Sequence, residues 1–426
     1  MVEDFPRVLI LSNDPLSKES GNGRSLGNFF QGWPREKLAN LHTNRQSLDL
    51  IDAQYFFLSD AMVKNHLLHF KKPGEVEFYP LTVKATDPSV SSRAVKKNPL
   101  TCLIRDGLWR SGLYSSKALK KWIADFHPEI VLLQAGDFPF MFDWARKIAK
   151  KQHAKLVIFN TEDYYFKTWN YMGKEAGHSK LYPWLHSRFK KSFSRAIKST
   201  SLCLYHFSGL EELYHQTFPK VPSQTIYVSS DVSYPPYQVK NGIFKAVYAG
   251  NLSGGRFKAL DEIAEVLHQN ALPYEFEVYG RAVKEEGFEA FAQSPFLHYK
   301  GETSYNEVSQ ALEDADLVVH AVSFDPFQNK DRQNEFSSKI PDCLSSGRPF
   351  LVYAPESLGF VHYLQDNHCA FVATNRSELS KLLLRLVNDI AFRESLLPNA
   401  ALISKQNHNV KTNAEKLRVS LASLAK

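Results

Sequence analysis

The sequence predicts an α/β protein of two domains, each a parallel sheet wrapped by helices. Three observations carry that prediction. Apolar runs of four to seven residues alternate with helix-patterned stretches along the whole chain, as strands buried between helices require. The series restarts after Pro235-Pro236, which reads as a linker. Glycine, hydroxyl and charged residues gather just after the strands, where open α/β sheets take their ligands.

The first strand is Val8-Leu9-Ile10-Leu11, and a polar segment with Gly21-Asn22-Gly23-Arg24 follows it. Leu26, Phe29 and Phe30 then recur at helical spacing. Apolar, β-branched runs predict further strands at 130–134, 156–160, 202–205 and 225–228. Beyond the linker, Phe244 to Tyr248 reads as a strand, and Leu260, Ile263 and Val266 mark the helix after it. Strands at 276–279, 317–321 and 350–353 complete a core sheet, with 370–373 at an edge. The stretch from Ala400 to Lys426 is helical in pattern. Two Rossmann-like domains facing a cleft result, 1–235 and 236–407.

With 426 residues, each domain can bury its own core. A hydrophobic share of 43% and a charged share of 23% are those of a soluble globular chain. No stretch approaches the roughly 18 consecutive apolar residues of a membrane span, and residues 1–20 carry acids, unlike a signal peptide. A cytoplasmic protein is expected. Cys102, Cys203, Cys343 and Cys369 lack paired spacing and read as buried thiols rather than zinc ligands or disulfides. No structural metal is expected. The net charge of +7 is uneven: residues 1–230 hold 32 Lys and Arg against 21 Asp and Glu, and the rest 20 against 24. A basic first half suits an anionic acceptor or membrane surface.

The segment Asn334-Glu335-Phe336-Ser337-Ser338-Lys339-Ile340-Pro341-Asp342 leads to Gly347-Arg348-Pro349 and a strand. Ser337 and Ser338 read as a helix start whose free amides suit phosphate oxygens, with the charge of Lys339 beside them. Asp342, one turn after Ser338, can accept from two adjacent ribose hydroxyls. Gly347 ends the helix and Pro349 prevents its continuation. An ordinary capped helix feeding a sheet is the alternative.

This grouping resembles the donor-binding helix of family 4 and related glycosyltransferases, whose two Rossmann-like domains form the GT-B fold. The resemblance implies that Ser337, Ser338 and Lys339 lie near the donor diphosphate and that Asp342 holds the ribose. It also implies a last helix, 408–426, that crosses back to the first domain. The family commonly carries two glutamates eight positions apart; here the second is Asp342, the position eight before it is Asn334, and Glu335 stands one place out of register.

The same resemblance marks other strand ends. Gly21, Asn22 and Gly23 resemble its flexible glycine loop, although plain turn chemistry accounts for them too. After Asn160, Asp163 and then Glu162 are candidates for the group placed against the reacting sugar, with Asp137 in reserve. A helix-capping acid is the alternative. The aromatic run Tyr164 to Trp169 suits an acceptor groove or a local core. Arg256 and Lys258 resemble the basic pair extended toward the diphosphate, more closely spaced than usual; a solvated surface is the alternative. Gly280 and Arg281, with Tyr299 and Gly301, resemble loops that cup the nucleobase. Asp314-Ala315-Asp316 leads straight into a strand and reads as structural. Lys180 to Lys198 interleaves bases with Leu181, Trp184, Leu185, Phe189 and Phe193, as on a bilayer surface or on a helix packed inward. No recognised nucleic-acid-binding module accompanies these bases.

The expected activity is transfer of a sugar from a nucleotide-diphosphate donor, UDP first among carriers, to a glycan, lipid-linked or surface-polysaccharide acceptor. Retention of the anomeric configuration, no metal, no cofactor and a place on the inner membrane face go with it. A non-catalytic partner subunit and a sugar-nucleotide epimerase on the same scaffold remain alternatives.

Overall fold

Strands buried on both faces dominate the two sheets. In the computed structural model, which describes residues 5–69, 72–83, 97–172, 179–239, 242–330 and 332–426, the chain divides into two compact units. One comprises Met1–Tyr227 with Asn413–Lys426, the other Val228–Thr412.

The first unit holds β1 (Val8–Ser12), β2 (Leu38–His42), β3 (Gln54–Phe57), β4 (Glu75–Glu77), β5 (Ile130–Ala135), β6 (Lys155–Asn160), β7 (Thr200–Tyr205) and β8 (Ser223–Thr225). Their order in the sheet is β4-β3-β2-β1-β5-β6-β7-β8. Every pairing is parallel except β3 with β4. All residues of β1 and β5 are buried, as helices on both faces of a parallel sheet dictate. Sequence periodicity does not reveal β2, because Asn40 and His42 interrupt its apolar run. Both find polar partners inside: Asn40 Nδ2 donates to Ser12 Oγ at 2.9 Å, and His42 Nε2 lies 3.1 Å from the buried Glu77.

The last strand of this sheet ends at Thr225, short of the expected Val228. Side chains of the final helix, Val410–Ala425, take the carbonyls beyond it: Lys416 Nζ donates to Thr225 O and Asn413 Nδ2 to Tyr227 O, each at 2.9 Å. Leu417 and Leu421 of that helix are buried in one cluster with Val8, Ile10, Leu26 and Phe29.

The second unit is a six-stranded parallel sheet, with β9 (Phe244–Ala249), β10 (Tyr274–Tyr279), β11 (His298–Gly301), β12 (Leu317–Ala321), β13 (Phe350–Tyr353) and β14 (Phe371–Ala373) in the order β11-β10-β9-β12-β13-β14. The sequence predicts a loop where β11 stands; its His-Tyr-Lys-Gly sequence lacks an apolar run because it is an edge strand. Asp316 is buried, accepts from the Lys245 N–H and the Tyr237 hydroxyl, each at 3.0 Å, and lies 3.7 Å from Arg393. It is structural, as the sequence suggested.

The basic segment forms the helix Tyr182–Ile197, whose Leu185, Phe189, Phe193 and Ile197 face inward. Arg188 pairs with the fully buried Asp106 at 2.6 Å and Arg195 with Asp143 at 3.1 Å. Lys180, Lys191, Lys198 and Trp184 remain exposed. Among the described residues no helix is long and apolar enough to cross a membrane.

Candidate functional site

Each sheet has a point where the strand order reverses, and ligands of such sheets sit beyond the carboxyl ends of the strands there. In the second unit that point lies between β9 and β12. The loop after β9 runs Asn251-Leu252-Ser253-Gly254-Gly255 and opens a helix, Arg256–Gln269. Gly254 and Gly255 are left-handed, with φ of +67° and +73°, and a Cβ on Gly254 would stand 2.5 Å from Arg332 Nη2. The left-handed backbone calls for glycine at both positions. Their N–H groups donate to the two carboxylate oxygens of Glu285, at 2.7 and 3.0 Å, which staples this loop to the one after β10.

Arg256 and Lys339 both act electrostatically on His320 of β12. The imidazole of His320, on that strand, is pushed down to about 3, first by burial and then by the charges of Arg256 and Lys339. Its Nε2 is buried and has no hydrogen-bond partner within the protein. Burial and Asp342 push the Cys343 thiol up to about 12, with Lys339 acting against them. These mutual effects place Arg256, His320, Lys339 and Asp342 in one neighbourhood. Lys258 exerts no such effect; it is exposed, and its ammonium lies 5.9 Å over the Phe257 ring.

The helix expected after Ser337 and Ser338 spans Lys339–Ser345, with Ser338 at its cap position. Its first turn has few free amides to offer. The Lys339 N–H donates to Ser337 Oγ at 3.3 Å, the Ile340 N–H to Ser337 O at 3.1 Å, and the next residue is Pro341. Positive charge here comes from side chains. Asp342 Oδ1 accepts from Ser230 Oγ at 2.7 Å, and its Oδ2 is 3.7 Å from Lys339 Nζ. Glu335 lies 3.9 Å from Arg332 Nε.

Gly280 ends β10, and its N–H donates to Gly301 O at 2.9 Å. Tyr299 lies within β11, not in a loop: its hydroxyl donates to Gly280 O at 3.0 Å and its ring meets Phe288 edge-on. Arg281 is exposed and 3.9 Å from Glu302.

In the first unit the order reverses between β1 and β5. Gly21, Asn22 and Gly23 are not a loop but the first turn of a helix, Gly21–Phe29, because Ser20 Oγ caps it by accepting from the Gly23 N–H at 2.9 Å. Asn22, Asp137 and Glu162 line a cavity of about 820 Å³. Asp163 does not line it. This residue is buried, with Lys167 Nζ 3.2 Å from both its Oδ1 and Glu162 Oε2, so Glu162 is the acid that faces the cavity.

His320, Glu285, Arg332 and Ser230 escaped the sequence reading. No local signal marks them, since each joins the neighbourhood through a residue distant along the chain.

The second sheet thus gathers its cations at a switch point, and the first sheet opens a polar cavity at its own. The same architecture recurs in solved structures. HepE of Anabaena, in complex with UDP and glucose, superposes with a TM-score of 0.61 at 12% identity, over 98% of this chain and 100% of that one. The fold is GT-B. A second GT-B match, sucrose-phosphate synthase of Thermosynechococcus elongatus, has a TM-score of 0.63 at 11% identity, covering 98% and 99% of the two chains. A third is WaaG, a glycosyltransferase involved in lipopolysaccharide biosynthesis, with a TM-score of 0.54 at 15% identity, covering 97% and 99%. No protein-family model matches the sequence, and no curated protein matches it significantly.

Proposed function

We propose that this GT-B chain is a glycosyltransferase moving a hexosyl group from a UDP-sugar to a saccharide or lipid-linked acceptor. The observation that carries the reading is that Arg256 and Lys339 both bear on His320 of β12, beside the switch point of the second sheet. Two cations there suit a diphosphate, Arg256 through its planar fork and Lys339 as a point charge. The complex of HepE with UDP and glucose supports UDP as the carrier, by likeness of fold.

In this reading the two charges stabilise the diphosphate as the bond to the sugar breaks, which serves where other transferases use a metal. The hydroxyls of Ser337 and Ser338 add hydrogen bonds. Asp342 accepts from the ribose hydroxyls after releasing Ser230. The backbone groups at Gly280 and Gly301 stand at the base end, with Arg281 above them. Glu162 faces the acceptor from the first unit, and Glu335 stands on the donor side. Retention of the anomeric configuration belongs to the reading by resemblance alone. The exposed Lys180, Lys191, Lys198 and Trp184 support a peripheral position at an anionic membrane face.

The test is calorimetric titration with UDP, GDP, ADP and CMP, repeated on Lys339→Ala. Selective binding of UDP that falls about 100-fold or more in the variant is expected, since a lost charge-assisted contact typically costs about 2–4 kcal/mol. Absence of nucleotide binding would overturn the reading and favour a non-catalytic partner. Turnover of UDP-sugar without acceptor, giving an epimer, would favour the epimerase.

A further inference from the structure

We propose that the cavity at the β1–β5 switch point binds a neutral, hydroxyl-rich sugar and discriminates against anionic ones. Its volume of about 820 Å³ lies within the range of small-molecule sites. Four carboxamides line it, those of Asn13, Asn22, Asn44 and Gln134. Each amide offers donor and acceptor together, the complement of adjacent hydroxyls. Phe138 and Tyr164 add aromatic surface to the wall.

The charges of the lining exclude anions. Arg105 Nε lies 2.9 Å from Asp60, and its guanidinium stacks over the Phe138 ring at 3.9 Å. Lys97 Nζ lies 2.5 Å from Asp137 Oδ2, which also accepts from the Tyr171 hydroxyl at 2.7 Å. Each of these cations meets a carboxylate of its own, so neither is left to receive an incoming phosphate. Asp14 and Glu162, the latter meeting Lys167 Nζ at 3.2 Å, add further carboxylates to the wall, against the exposed Lys64 as the third cation that lines it. A uronate or phosphate entering would meet like charge at short range, whereas a hydroxyl can donate to the same oxygens. The cavity therefore differs from the outside of its own unit, where the uncommitted lysines of the helix Tyr182–Ile197 and its flanks gather.

Service as the acceptor site rests on the transferase reading; sugar binding does not. The experiment is binding of the full chain, without nucleotide, to an array of neutral glycans beside sulfated, phosphorylated and uronic-acid counterparts. It is run at about 0.15 M salt, where exposed charges are screened beyond about 8 Å. Retention of neutral members at least about tenfold above their anionic counterparts is expected, a difference of about 1.4 kcal/mol. Asp137→Asn, which removes the partner of Lys97, should raise retention of phosphorylated members about tenfold. Preference of the wild type for anionic members, or a blank array, would overturn the inference. Neutral glycan binding without UDP binding would uphold it and sink the transferase reading, and UDP binding with a blank array would do the reverse.

Discussion

Glu285 spends both carboxylate oxygens on backbone amides of another loop, and those amides exist in that orientation only because Gly254 and Gly255 are left-handed. Gly255→Ala should therefore cost about 1–2 kcal/mol of stability, read as a lower urea midpoint at unchanged m-value. Three of the buried histidines, His206, His320 and His408, shape the acid response. Burial holds His206 and His408 down to about 4, and His320 lower still. Their ordinary value is 6.5, so between pH 6.5 and about 4 the unfolded chain binds more protons than the folded one. Stability should rise with pH across that window, each histidine contributing up to about 3 kcal/mol that acid removes. Urea midpoints measured from pH 4 to 7 check this; a flat profile would contradict it. Of these residues only Lys339 and its neighbours were legible in advance, since a hydroxyl-lysine-acid cluster at a helix start is a local signal. His320 reads as one polar letter inside a strand, and nothing in Leu-Val-Val-His-Ala tells that two cations lie beside it.

Among elements, strands buried on both faces were legible because a short unbroken apolar run bounded by turn residues suits little else. The strands β2 and β11 were not, one because its polar residues find partners inside the core, the other because an edge needs no apolar face. Helix packing shows the same limit. The bases of the helix Tyr182–Ile197 suited a bilayer surface or a helix packed inward, and neither reading foresaw that Arg188 ends on Asp106, which Arg110 also meets at 2.8 Å. Asp106→Ala would leave two guanidinium groups without this carboxylate, at a cost of about 3–5 kcal/mol. Thermal denaturation should show the loss in the first unit, and an unchanged transition would contradict the structural role given to this carboxylate.

For the whole molecule, the division into two parallel-sheet units was legible from the restart of the strand series. The placement of the final helix was legible through the resemblance, which implied that 408–426 crosses back to the first domain, although its small and polar residues do not themselves mark Leu417 and Leu421 for that core. Leu417→Ala should cost about 2–5 kcal/mol. The loss should fall on the first unit alone, visible as one displaced phase in a two-phase denaturation curve. Displacement of both phases together would show that the units unfold as one.

The tie between Asn413 and Tyr227 also bears on how the chain is made. Residues 228–412 are contiguous and leave the ribosome as one uninterrupted piece, whereas the first unit, though begun earlier, lacks Leu417 and Leu421 until that piece has been made. Domains are usually completed in the order of their translation. Here the unit begun first is the one finished later, so its core waits, short of two leucines, while the whole of the other unit is synthesised.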